Sequence, residues 1–336
     1  MHCIELTGPS PKHLVRRDAP EPSAPRRGEA LVRMRAASLN YLDLAVATGA
    51  YPGIAYPLVP LADGAGEIVA LGEEVETLAL GDRVALHSKA RWISGPGTAA
   101  TVNPTRGATL PGVLSELMVV DAASLVKAPD GWSYPEIATL PIAATTAWRA
   151  TEAGDLKPGS TVLLLGTGGV SIFALQLARA RGARVIIASS SDEKLERARS
   201  LGADERLNYR QTPDWDRAVL DLTDGIGVDL VVETVGGETF GRSIAAVRHE
   251  GTIFTIGFLG GTTADLDLLP VISKAVRLQG STTGSVADLR QAVAALAAHG
   301  VKPVVDQVFG VTDLADGYAA LAAGGHFGKL AVELDW

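Results

Sequence analysis

The densest chemical signal in the chain is Gly166-Thr167-Gly168-Gly169-Val170-Ser171. It follows the apolar run Thr161–Leu165 and opens a helical pattern from Val170 to Arg181. Glycines in a strand-to-helix turn let backbone approach a pyrophosphate, and the helix N-terminus adds unpaired N–H groups and a positive dipole end. A lone G-x-G-x-x-G is weak evidence, whereas the same spacing inside a strand–turn–helix unit is specific. Ser171 stands where the third glycine is usual, and it is small enough to keep the helix close to the strand.

The next apolar run, Arg184–Ala188, speaks to which dinucleotide is bound. A site for NADH usually ends that strand on an acid that accepts from the ribose 2′-OH. Here the end reads Ser189-Ser190-Ser191, with Lys194 in the following helix. Hydroxyls and an ammonium suit a 2′-phosphate, which a carboxylate would repel. NADPH is therefore expected over NADH. Asp192 is read as an N-cap or first-turn residue of that helix, where negative charge is favoured.

These turns need a scaffold. Strand candidates at Glu205–Tyr209, Asp229–Val232, Thr252–Ile256 and Val276–Gln279 alternate with helical stretches at Asp192–Leu201, Asp214–Leu222 and Thr239–Val247. Apolar strands alternating with helices predict a doubly wound parallel sheet. Before about residue 127 the texture is β-rich, with strand candidates at Ala30–Ala36 and Gly66–Leu71 and a turn at Gly81-Asp82-Arg83-Val84. Residues 88–112 read as a long Gly/Pro/Ser/Thr-rich loop of the kind that often serves as a lid or binding loop. A helix over Val286–His299 and a strand at Lys329–Glu333 close the chain.

At 336 residues the chain has room for about two domains. Its net charge of −8, with no basic run, argues against nucleic acid or an anionic membrane as partner. Cys3 is the only cysteine, so no internal disulfide can form and a cytoplasmic setting is expected. No signal peptide or transmembrane run is read from the sequence.

Several further motifs stand in order along the chain. They are Asn40-Tyr41-Leu42-Asp43-Leu44, Gly49-Ala50-Tyr51-Pro52, Asp63-Gly64-Ala65-Gly66-Glu67, Ala138-Thr139-Leu140-Pro141 with Thr146-Ala147-Trp148, Asn208-Tyr209 and Gly328-Lys329. With the glycine turn, they resemble the medium-chain dehydrogenase/reductase superfamily over nearly the whole length, and its zinc-free quinone oxidoreductase-like branch in particular. The resemblance implies an α/β protein: a GroES-like β-rich catalytic domain (1–126 and 285–336) and a Rossmann doubly wound domain (127–284). It also implies a homodimer through Rossmann edge strands, here Val276–Gly280, and a catalytic cleft between the domains.

The zinc enzymes of that superfamily bind catalytic metal through Cys, His and a third Cys or acid, in line with the roughly three protein ligands zinc needs. The matching positions here are Asn40 or Tyr41, Ala62 and Ile142, so no zinc is expected. None of the six histidines shows ligand spacing. Without a Lewis acid, hydride delivery to an already electron-poor acceptor, a quinone or an α,β-unsaturated carbonyl, is easier than alcohol oxidation. A metal-independent alcohol dehydrogenase or carbonyl reductase is the near alternative, and a non-catalytic NADPH-binding structural or sensor protein the distant one.

The resemblance assigns Gly166, Gly168, Gly169 and Val170 to the pyrophosphate, Ser190, Ser191 and Lys194 to the 2′-phosphate, and Tyr209 to the adenosine end. It assigns Thr146, Gly257 and Phe258 to the nicotinamide, and Phe327, Gly328 and Lys329 to a segment closing over the cofactor. Tyr51, Asn40 and Tyr41 are the polar candidates for the substrate, with Tyr51 able to donate to a carbonyl oxygen. Tyr51 could equally pack beside Pro52, and Asp43 is read as a cap or buttress of the adjacent helical turn. Trp92 and Pro96 could shape a pocket mouth or belong to a solvated loop.

Overall fold

A computed structural model describes residues 1–336. In chain order the first strands are β1 (His2–Leu6), β2 (Leu14–Asp18), β3 (Glu29–Leu39), β4 (Asp63–Leu71), β5 (Arg83–Leu86), β6 (Leu117–Asp121) and β7 (Leu125–Lys127). Then come β8 (Thr161–Leu165), β9 (Arg184–Ser189), β10 (Glu205–Asn208), β11 (Val228–Glu233), β12 (Val247–Thr255) and β13 (Arg277–Gly280), followed by β14 (Val305–Gly310) and β15 (Lys329–Glu333). The helices are α1 (Tyr41–Ala47), α2 (Ala99–Val102), α3 (Tyr134–Ala138), α4 (Leu140–Ala153), α5 (Gly169–Ala180), α6 (Asp192–Ser200), α7 (Trp215–Asp221), α8 (Phe240–Ala246), α9 (Leu268–Ser273), α10 (Val286–Ala298) and α11 (Leu314–Ala323).

The chain divides into two units. The first holds residues 1–145, 284–297 and 302–336, and the second holds 146–283 and 298–301. In the first, β14-β15-β3-β4-β5-β7 form one sheet, with β6 also on β3. Strand β3 alternates along its first half: Ala30, Val32 and Met34 are buried while Arg33 is exposed, as a strand with one face on a core requires. That core joins both ends of the chain, for Leu6 and Leu39 pack with Leu314, Leu330 and Val332.

In the second unit β10-β9-β8-β11-β12-β13 form a wholly parallel sheet. Val162–Leu164 and Val185–Ile187 are fully buried, as strands covered on both faces must be. Strand β8 sits between β9 and β11, which is the point where strand order reverses and where such sheets bind ligands.

Two expectations need correction. The unit boundary falls after Thr145 rather than after residue 126. Strand β7 pairs with β5, and Ile142 at the start of α4 donates its backbone N–H to Asp63, which ties this stretch to the first unit. Residues 88–112 are not a structureless loop. Trp92 is buried, its Nε1 donates to the Gly95 carbonyl, and the Trp92 and Ile93 carbonyls accept from Val286 and Ala287 at the start of α10. Trp92 is thus a cap for that helix, and the short helix α2 lies in the same segment.

Candidate functional site

In the second unit the cofactor residues read from the sequence gather at the C-terminal ends of parallel strands. Gly166 leaves β8 at φ +74°, a left-handed conformation that glycine alone adopts without strain. Gly168 caps α5, and a Cβ placed on it would enter open space. The first turn of α5 leaves N–H groups with no intrahelical acceptor. Ser171 is buried and its hydroxyl donates to the Leu165 carbonyl at 2.8 Å, so the residue in the third glycine's place pins helix to strand. Thr234 Oγ1 donates to the same carbonyl at 2.6 Å. These features fit a dinucleotide pyrophosphate.

At the end of β9, Ser191 caps α6 by accepting from the Lys194 N–H at 3.3 Å. Its oxygen therefore has a structural duty in addition to the expected one. Ser190 is partly exposed beside it. Asp192 takes up two amides, Asn208 Nδ2 at 2.7 Å and Gln211 Nε2 at 2.8 Å, so its carboxylate is engaged by the loop after β10. Tyr209 follows that strand and is 42% exposed.

The sequence reading missed Glu233 at the end of β11. Its buried carboxylate accepts from the Val235 and Gly236 N–H groups, from Thr239 and from Ser243. The available signal was an acid closing an apolar strand run. Glu233 fixes the turn against which the Gly257 loop lies, and a Cβ on Gly257 would fall 1.6 Å from the Thr234 carbonyl oxygen. Gly257 is thus required by close backbone approach, while Phe258 beside it is 51% exposed. Thr146 is buried in α4.

The first unit holds a buried charge network. The Lys329 ammonium donates to the Leu39 carbonyl at 2.7 Å and to Asn40 Oδ1 at 2.6 Å. Asn40 Nδ2 donates to Asp43 (3.2 Å) and to Asp63 (3.0 Å). Asp43 also accepts from the backbone of Asn40 and Ala62, and Asp63 from Ile142. Asp43 is the buttress expected of it. Burial pushes its carboxyl up to about 6 against the pull of its hydrogen bonds and of Lys329. Burial pushes Asp63 up to about 7, with Asp43 adding to the rise and Lys329 opposing it. Burial lowers the Lys329 ammonium, which both carboxylates partly restore.

This network corrects two assignments. The Lys329 ammonium is bonded inside the first unit. Asn40 is a positioning residue, since both its amide hydrogens and its oxygen are bonded within the network. Tyr41 opens α1 and Tyr51 lies four residues beyond its last residue, both half-buried. Burial raises the Tyr41 hydroxyl. Tyr51 packs against the core, and its N–H donates to the Ala45 carbonyl. Phe327 is buried and Gly328 turns at φ +81° against Val304.

The donor set does not suit zinc. No three His, Cys, Asp or Glu side chains converge in a way that could hold a metal ion. Asp43 and Asp63 already face an ammonium and accept from the Ala62 and Ile142 N–H groups, and neither Ala62 nor Ile142 carries a ligating side chain.

Comparison with known proteins agrees with this architecture. A family model for the alcohol dehydrogenase GroES-like domain matches residues 26–130, and one for zinc-binding dehydrogenase matches residues 169–298. A zinc-type alcohol dehydrogenase-like protein of Schizosaccharomyces pombe is 42% identical over 316 residues, 92% of this chain and 91% of its own. A quinone oxidoreductase of Pseudomonas aeruginosa is 32% identical, over 88% of this chain and 83% of its own. A crystal structure of an NAD-dependent alcohol dehydrogenase superposes with a TM-score of 0.88 at 32% identity, over 99% of this chain and 100% of its own. The chain belongs to the medium-chain dehydrogenase/reductase superfamily and is an oxidoreductase.

The raised carboxyls set a pH dependence. The folded protein keeps protons on Asp43 and Asp63 that the unfolded chain releases above about pH 4. Their contribution to stability is full below that pH and is lost as pH rises through about 6 to 7. Asp63→Asn removes the larger part, because Asp63 is raised further than Asp43. Urea midpoints measured from about pH 4.5 to 8 should fall more steeply for wild type than for Asp63→Asn; parallel curves would mean that Asp63 does not hold its proton.

Proposed function

We propose that the protein transfers a hydride from NADPH to a small electron-poor acceptor, a quinone or an α,β-unsaturated carbonyl, without a metal. The observation that carries this reading is the Lys329–Asn40–Asp43–Asp63 network. It fills the region where the superfamily's metal ligands would stand with groups that neutralise one another. An acceptor that needs no Lewis acid is the one such a site serves best.

Bound NADPH supplies the hydride. The residues around Gly166, Gly168, Gly169 and Val170 hold the pyrophosphate through backbone N–H groups and the α5 dipole. Ser190, Ser191 and Lys194 meet the 2′-phosphate with a cation and hydroxyl donors. Tyr209 would meet the adenosine, and Thr146, Gly257 and Phe258 would border the nicotinamide. The Tyr41 and Tyr51 hydroxyls would stabilise charge developing on the acceptor oxygen, and solvent water would supply the proton that completes the reduction. Carbonyl reduction is the second reading, favoured by the alcohol dehydrogenase-like name of the 42% identical relative; saturated carbonyl and alcohol products separate the two.

The chain is also proposed to pair with a second copy through the edge strand β13. Leu278 on that strand is 41% exposed, and Leu268, Leu269 and Ile272 of the neighbouring α9 are 59%, 72% and 73% exposed. Patches of this kind on a soluble protein mark interfaces, and an open strand edge invites pairing.

Two outcomes test these readings. Chelator-treated protein should oxidise NADPH with a quinone or an enal and prefer it to NADH, and Lys194→Ala should weaken NADPH at least tenfold with little effect on NADH. Activity that appears only on adding zinc, or equal loss of both cofactors in the variant, would contradict the assignment. Light scattering should give twice the 34.8 kDa chain mass for wild type and the single mass for Ile272→Glu; a monomeric wild type removes the dimer proposal.

A further inference from the structure

Arg106 reverses the usual placement of an arginine. Arg27, Arg179 and Arg248 have side chains 70%, 42% and 35% exposed, and each pairs with a carboxylate. Arg106 is 7% exposed, and no carboxylate lies within ion-pair distance of it. Its guanidinium makes one hydrogen bond within the protein, from Nε to the His87 carbonyl at 3.3 Å. The remaining guanidinium N–H groups have no protein acceptor. Those nitrogens are not among the fully buried unpartnered atoms, so they keep access to solvent or a ligand, and the carboxylate that acts on the guanidinium, Asp121, makes no ion pair with it.

The surroundings are short of anions and rich in unmet polar atoms. The Arg106 N–H donates to the Ser88 carbonyl at 3.0 Å, which sets the two residues side by side. Ser88 is fully buried and its Oγ has no partner; His87 is fully buried and its Nε2 has none. Lys89 is a second cation, and its ammonium donates to Thr105 Oγ1 at 2.7 Å. The acids that act on this cluster are Asp121, which favours charge on Arg106, and Asp288, which favours it on His87. Both are committed elsewhere, Asp121 to the Ala123 N–H and Asp288 to Ser285. Burial holds His87 neutral, down to about 4, and lowers Arg106 to about 10.

The fold holds Arg106 there by force of packing. Gly107 turns at φ +70°, and a Cβ on it would fall 2.6 Å from the Leu61 carbonyl carbon. Gly112 approaches Pro60 as closely, and Leu61 itself is fully buried at φ +66°, a strained conformation for leucine.

We infer that Arg106, with Ser88 beside it, binds the anionic group of a small molecule, a carboxylate or a phosphate. A guanidinium offers parallel N–H donors that match either group in a fork, and the Ser88 hydroxyl adds a third donor. The site lies within the first unit and does not depend on the hydride-transfer reading.

Calorimetric titration of the full chain with malonate and with inorganic phosphate, at ionic strength matched with chloride, tests the inference and separates the two anions. Saturable binding of one of them is expected. Arg106→Gln should weaken it at least tenfold, and Ser88→Ala about threefold to tenfold. Absence of saturable binding for both anions, or a Kd in Arg106→Gln within twofold of wild type, would overturn the site. If Arg106→Gln does not fold, Arg106→Lys and Ser88→Ala decide: unchanged affinity in both overturns it equally.

Discussion

Burying the Lys329 ammonium is the constraint on which the first unit rests. Taken out of water, this charge needs acceptors on every side, and it finds them in the Leu39 carbonyl, in Asn40 and in the field of two carboxylates. Those partners come from the end of β3, the first turn of α1, the start of β4 and the last strand of the chain. Asp63 extends the tie to the start of α4 through the Ile142 N–H. One ammonium and two carboxylates make a neutral knot when one proton stays on the acids, and burial favours that state. Both tyrosines proposed to meet the acceptor flank the helix that this knot anchors. The proposed metal-free chemistry rests on the same groups.

The second unit solves a different problem with backbone. Its sheet is parallel and buried, so the ends of its strands must turn tightly to present N–H groups. The Leu165 carbonyl, held by both Ser171 and Thr234, fixes where β8 ends and α5 begins. Glu233 organises the next turn by gathering four donors. Gly257, and Gly237 facing Gly260, then let the following loop lie against that turn at distances no side chain would permit.

How much of this was legible in the sequence depended on range. Strands β8 and β15 were read at their observed bounds, because a short apolar run between turn residues is a local signal. The glycine turn was legible for the same reason. The Lys329 network was not, because Lys329 and Asn40 meet across nearly the whole chain, and Gly328-Lys329 in sequence gives no sign of which way the ammonium points. The segment 88–112 misled for a related reason. Its polar, glycine-rich composition resembles a loop, yet backbone hydrogen bonds to α10 and the burial of Trp92 and Arg106 organise it. Thr145 as the boundary was likewise set by contacts to β4 and β5 that composition does not report.

A double-mutant cycle on Lys329→Met and Asp63→Leu, read as unfolding free energy at neutral pH, tests the central claim most directly. Lys329→Met removes the cation that faces two buried carboxyls and should cost about 3–5 kcal/mol, whereas Asp63→Leu leaves Lys329 facing Asp43 and should cost less. The double variant should cost clearly less than the sum, with a coupling energy of about 1–3 kcal/mol. Costs that add to within ~0.5 kcal/mol would mean that the two groups act independently and that no neutral knot holds the first unit together.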